Sequence, residues 1–240
     1  MGGSISRIWV YLAETPLLWL AVTLIVFWLA QRLYRSTHDF PLLNPVLVSV
    51  TVLVLVLLAT GTPYHAYFDG AQFIHFLLGP ATVALAVPLA TQAQELKRLW
   101  LPIAIALTAG SVTAVLSAMA LGWALGLTPE TLLSMLPKSV TTPIAMGVAD
   151  EIGGLPSLTA VLVILTGITG AVIGIPLLRL LGLRDPVAKG FAIGVAAHGI
   201  GTARAFEHSE RAGAFSGLAM GLNGALTALL VPLLVWLFGF

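Results

Sequence analysis

From Leu155 to Leu178 the chain carries no charged residue. That run constrains the fold more than any motif. A helix needs about 20 apolar residues to cross the hydrocarbon core of a bilayer, because each residue rises only about 1.5 Å. Comparable runs lie near Pro16–Leu33, Leu42–Gly61, Gln72–Ala90, Leu99–Leu125 and Ala212–Phe238. Only 9% of the 240 residues are charged, and the mean hydropathy is +1.01. Soluble domains carry roughly 25% charged residues, so this chain cannot cover a water-facing surface. The expectation is an all-α polytopic membrane protein with about six to eight membrane segments. Helices are favoured because lipid offers backbone polar groups no partners, and a helix satisfies them internally. Residues 1–40 read as an N-terminal transmembrane helix with a cytoplasmic loop, and residues 41–240 as the main membrane domain. The first residues contain Arg7 and Glu14 and no cleavage pattern, so they do not read as a signal peptide. The chain has no cysteine, which excludes disulfides, iron–sulfur clusters and thiolate zinc sites.

Two stretches break this apolar pattern. One runs from Lys138 to Glu151 and the other from Gly190 to Arg204. Both contain Ala-x-Gly-Val-Ala, at Ala145–Ala149 and Ala192–Ala196. Both place ionisable groups beside Gly or Pro. Such groups are costly in lipid, so they belong at a cavity lined by protein. A third break, near residues 76–90, contains Gly79, Pro80 and Pro88.

Positive charge orients the segments, since Lys and Arg concentrate in cytoplasmic loops. Arg32 and Arg35 follow the first run, Lys97 and Arg98 precede the fourth, and Arg179, Arg184 and Lys189 follow the fifth. Placing all of them inside requires residues 131–154 to start and end outside, and residues 189–211 to start and end inside. Both stretches are then re-entrant, entering from opposite faces. The alternative is two full spans, which puts Arg179, Arg184 and Lys189 outside. Each stretch is also followed by a similar helix. Gly167–Val172 with Pro176 follows the first, and Gly221–Leu226 with Pro232 follows the second. An inverted repeat of broken elements is a common transporter build. Short matches among small residues also arise from membrane-helix composition alone.

The blocks Lys138–Gly154, Ala196–Glu207 and Phe76–Leu89 closely resemble the LrgB/CidB family, and the likeness runs from about Pro41 to Leu237. The resemblance implies a bacterial plasma-membrane protein of the antiholin-like or murein-hydrolase-export type. Its plant relative is a plastidal glycolate/glycerate translocator, which implies a small monocarboxylate such as glycolate, glycerate or pyruvate as cargo. It also implies a separate LrgA/CidA-type small membrane protein as partner. A homo-oligomer, most simply a dimer, suits the small-residue faces at Gly217, Gly221 and Gly224.

A carboxylate needs hydrogen-bond donors shielded from water, and broken helices supply them at their N-termini. The substrate-binding candidates are Ser139, Thr141 and Thr142 in the first stretch, and Gly199, Gly201, Thr202 and Arg204 in the second. Thr141 or Thr142 is the expected N-cap before Pro143. Arg204 can grip a carboxylate with two parallel bonds. His198 is the candidate for proton coupling, with Asp150 and Glu151 as proton or cation sites beside it. Each has a plainer use. Arg204 is also an interfacial charge, His198 a partner for a backbone carbonyl, Asp150 and Glu151 residues of an exterior mouth. Lys138 either binds directly or snorkels to the interface. Asn223 and Thr169 occupy matched repeat positions and suit helix–helix hydrogen bonding. Asn44-Pro45 reads as a helix start. His75 shares a helix face with Gln72 and reads as exterior surface rather than a metal ligand.

Two function classes follow. One is a secondary carrier of small monocarboxylates, coupled to protons or ions, working by alternating access. The other is a holin- or antiholin-like module that regulates murein hydrolase release. Enzymatic activity is not expected. No His-Glu-x-x-His, Gly-x-Ser-x-Gly or Gly-Lys-Ser/Thr motif occurs. No cofactor or metal is expected either.

Overall fold

The computed structural model describes residues 16–37, 40, 43–77, 80, 83–84, 86–91 and 93–239. These divide into two compact units, Met1–Ala84 and Leu85–Phe240. All elements among the described residues are helical.

The first unit holds α1 (Pro16–Ser36), α2 (Pro45–Thr60) and α3 (Tyr64–Phe76). Asn44 starts α2 as expected: its side-chain oxygen accepts from the Val46 and Leu47 amides at 3.0 and 3.3 Å. Those amides have no partner inside the helix, so the cap satisfies them. The helix α1 meets α3 through Trp19, whose ring stands edge-on to Tyr67 at 5.8 Å. Gln72 donates to the Asp69 carbonyl at 2.7 Å, within one turn of α3.

The second unit holds α4 (Ala86–Thr91), α5 (Ala93–Arg98), α6 (Trp100–Ala124), α7 (Pro129–Met135), α8 (Thr142–Glu151), α9 (Pro156–Leu180), α10 (Pro186–His208) and α11 (Glu210–Phe238). Among the described residues four helices, α1, α6, α9 and α11, are long and apolar enough to cross a membrane. They match four of the apolar runs, and this is a membrane protein. The run expected over Gln72–Ala90 is not one helix: α3 ends at Phe76 and α4 starts at Ala86. Most of the third break, around Gly79, Ala81 and Thr82, lies outside the described residues.

Both polar stretches fold back on themselves. After α7 the chain turns through residues 136–141 and returns along α8. The return is fixed at Ser134, whose hydroxyl accepts from the Leu155 amide at 2.7 Å. The Ser134 carbonyl accepts from Thr159 Oγ1 at 2.8 Å. The end of this hairpin therefore sits beside its own beginning. The helix α10 is broken at Ala197 (φ −130°, ψ 15°) and His198 (φ 40°, ψ −136°). Its first half packs on α11 in parallel, Gly190 against Ala212 and Gly194 against Ser216. Its second half comes back, so that Ala205 joins Ile193, Ala197 and Ala212 in one buried cluster.

The central helix α9 measures the two hairpins against each other. Its first turns hold Ser134 through Thr159. Further along, Gly170 abuts Ala197 and Gly174 abuts Ile193, and Ile175 joins the cluster around Ala205. The α7–α8 hairpin thus approaches from the N-terminal end of α9, and the α10 hairpin from its C-terminal end. Charge follows the same axis. Arg179, Arg184, Lys189, Arg204 and Arg211 lie at the ends of α9, α10 and α11 that meet there. Lys97 and Arg98 join them through the Glu95–Arg211 ion pair. Glu130, Asp150 and Glu151 lie at the opposite end, on α7 and α8.

Candidate functional site

The two hairpin tips meet on one side chain. Asn223, in the middle of α11 and only 1% exposed, donates from Nδ2 to the Val195 carbonyl at 2.9 Å and to the Ser139 carbonyl at 3.4 Å. Its Oδ1 accepts from the Ser111 hydroxyl of α6 at 2.5 Å. An asparagine amide has two N–H groups and one carbonyl oxygen; here one N–H serves each hairpin. The reason is chemical. Breaking α10 at residues 197–198 removes the helical partner of the Val195 carbonyl. A buried carbonyl without a partner costs about 1–3 kcal/mol, and Asn223 supplies what the helix lost.

His198 stabilises the break from the other side. Its Nε2 lies 2.9 Å from the Val163 carbonyl of α9. A carbonyl only accepts, so Nε2 carries the proton in this contact. The ring lies over Gly167, where an added Cβ would come within 2.6 Å of Cε1. Thr202 Oγ1 donates to the His198 carbonyl at 2.8 Å and lies 2.9 Å from Ser216 Oγ, which donates to it.

Beside these tips lies a cavity of about 590 Å³. Its walls are α6 (Ile103, Ala106, Gly110) and the first half of α10 (Phe191, Ala192, Val195). Asp185 and Leu99 line its end toward the cationic side, and Lys138, Ser139 and Thr166 line its inner end. The volume is that of a small-molecule site, typically 300–1,000 Å³.

The expected site residues distribute unevenly over this frame. Ser139 is buried at the cavity. Thr141 occupies the N-cap position of α8, as expected, but its side chain caps nothing. Pro143 at the second helical position has no N–H to give, which removes one of the two amides such a cap can use. Thr142 opens α8 and is half-buried. Gly199 is exposed just after the break, Gly201 packs tightly on Ala197 and Ile193, and Thr202 is committed to His198 and Ser216. Arg204 is bound to Glu207 at 2.8 Å, on the returning half of α10 toward the cationic end. Asp150 and Glu151 are exposed at the far end of α8, about 15 Å from the tip at 1.5 Å per residue. They are not beside His198, which corrects that expectation: α8 returns away from the tip rather than continuing into it. The structure thus brings together Ser139, His198 and the start of α8, and separates Arg204 from Asp150 and Glu151. No cluster of His, Asp and Glu suited to a metal ion occurs among the described residues. The His75 side chain lies outside the described residues.

Lys138, Thr166 and Asp185 are the polar or charged lining residues outside the expected binding set. Lys138 was expected to bind or to snorkel; it lines the cavity. Thr166 was not singled out. The repeat pointed to Thr169, three residues on, which is exposed where Thr166 is half-buried.

Residues 23–237 match the LrgB-like family, so the match begins inside α1 and not at Pro41. An uncharacterized protein of Bacillus subtilis (strain 168), YxaC, is 37% identical over 86% of this chain and 90% of its own. A second from that strain, uncharacterized protein YwbG, is 38% identical over 90% of this chain and 96% of its own. An antiholin-like protein LrgB of Bacillus cereus (strain B4264) is 32% identical over 91% of this chain and 95% of its own. No solved structure matches. A match over nearly the whole membrane portion, with relatives above 30% identity over at least 90% of their own lengths, places this chain in the LrgB-like family.

Proposed function

We propose that the protein is a secondary carrier of small monocarboxylates in the bacterial plasma membrane. The observation that carries this reading is the convergence of two opposed, folded-back helices on Asn223 beside a cavity. Irregular backbone at membrane depth is tolerated where it is buried in protein or lines a cavity. Opposed broken helices meeting near the midplane are the usual substrate site of secondary transporters. In this reading the hairpins 131–154 and 189–211 are re-entrant, and each, with the helix that follows it, is one copy of an inverted repeat. With the shorter helices, six to eight membrane segments result. His198 couples transport to protons, and Ser139, Thr141 and Thr142 contact the cargo. The protein is not an enzyme. It works as a dimer or beside an LrgA/CidA-type partner.

A second reading follows from the relatives' names, which side with it more directly than with transport. Several are antiholin-like proteins, so the chain could regulate murein hydrolase release through assembly in the membrane. Such a role needs apolar helices that associate, and it does not call for two buried hairpins pinned to one asparagine. Proteoliposomes separate the two. A carrier gives saturable uptake of labelled glycolate or pyruvate and no release of trapped dye. Dye release without saturable uptake favours the second reading.

A further inference from the structure

The cavity has an asymmetric chemistry. Lys138 and Asp185 are the charged residues among those that line it, and they sit toward opposite ends. The Asp185 carboxylate caps α10 by accepting from the Val187 amide at 3.1 Å, so it already has work at the cationic end. Val195 lies ten residues further along α10, about 15 Å at 1.5 Å per residue. Lys138 sits at that inner end, half-buried, and forms no ion pair with any carboxylate among the described residues. Ser139 and Thr166, each with a hydroxyl, line the cavity with it. The rest of the lining includes Pro102, Ile103, Ala106, Phe191 and Val195. The other cationic candidate, Arg204, is paired with Glu207 and lies outside this lining.

We infer that this cavity binds a monoanion with a small apolar body. The Lys138 ammonium holds its charge, and the Ser139 and Thr166 hydroxyls donate to its oxygens. An ammonium in a low-dielectric pocket attracts one anionic charge strongly. A second carboxylate would face hydrocarbon walls without a partner, and burying an unpaired charge is disfavoured. The site therefore selects by valency as well as by size. The inference deepens the carrier reading, and rests on it for its role in the cell, while naming Lys138 and not Arg204 as the anchor.

The test is equilibrium binding to purified full-length protein, with isobutyrate, pyruvate and malonate as probes, alongside uptake in proteoliposomes. Wild type is expected to bind isobutyrate and pyruvate at least about tenfold more tightly than malonate. Lys138→Ala should lose about tenfold or more for both monoanions, while Lys138→Arg retains most of the affinity. Ala192→Trp should fill the cavity and abolish binding. Thermal unfolding of each variant separates lost binding from lost fold. Unchanged affinity in folded Lys138→Ala, or equal affinity for malonate, overturns the site. So does displacement of isobutyrate by oleate at equal concentration, which would mark the cavity as a berth for a lipid chain. Saturable uptake that ignores Lys138→Ala sinks this inference and leaves the carrier standing. Lys138-dependent binding without any uptake does the reverse.

Discussion

His198 is the residue whose backbone and side chain disagree. At φ 40° and ψ −136° it occupies a region that glycine enters freely and other residues avoid. That costs about 1–3 kcal/mol, although Gly199 stands next in the chain. What offsets it is the side chain: Nε2 reaches Val163 and the ring fills the space over Gly167. A glycine at 198 would relax the backbone and leave the Val163 contact unmade. His208, at the cationic end and outside the spans, behaves differently. Burial first, then the charges of Lys189, Arg179 and Arg204, hold its pKa below the ordinary 6.5. The unfolded chain then takes up this proton more readily than the folded one. Stability is therefore full above about pH 6.5 and declines as pH falls below it. The melting temperature in detergent should drop between pH 7 and pH 5, and His208→Gln should lessen that drop. An identical pH profile in the variant would show that other groups set it.

At the scale of elements, Asn223 is the joint between α6, α11 and the two hairpins. Asn223→Leu leaves the Ser139 and Val195 carbonyls and the Ser111 hydroxyl without a shared partner. Each unpartnered group costs about 1–3 kcal/mol. Thr227→Val removes only the weak 3.5 Å contact to Asn223. Thermal unfolding should show the first variant clearly destabilised and the second near wild type; equal shifts would deny Asn223 this role. The long elements were legible beforehand. Continuous apolar runs marked α1, α6, α9 and α11, and Asn44-Pro45 marked the start of α2. Two small-residue stretches with buried polar groups marked both hairpins, because Gly, Pro and Thr interrupt helices in predictable ways. The partners were not legible. Asn223 finds Ser111 at a separation of 112 residues and Ser139 at 84, and no local pattern encodes such a meeting. The place of Arg204 was not legible for a related reason: its charge is visible in sequence, but the return of α10 toward the cationic end is not.

For the second unit as a whole, the charge axis makes a topological prediction. The chain contains no cysteine, so single cysteines report without background. In intact cells a membrane-impermeant maleimide should label Asp150→Cys from outside, and Arg184→Cys only after permeabilisation. Labelling of both from one side would refute the opposed entry of the hairpins. The glycines of α10 add a mechanical point. A Cβ at Gly190 or Gly194 would overlap the backbone of α11 at Ala212 or Ser216, so the two helices touch main chain to main chain. Surfaces meshed that closely neither slide nor part in small steps. They turn as one stiff plate. The opposite wall, α6, meets α10 through side chains such as Ile103 and Phe191, which can change rotamer and yield. Widening or narrowing of the space between them is therefore a displacement of α6, with α10 and α11 as the fixed frame against which it moves.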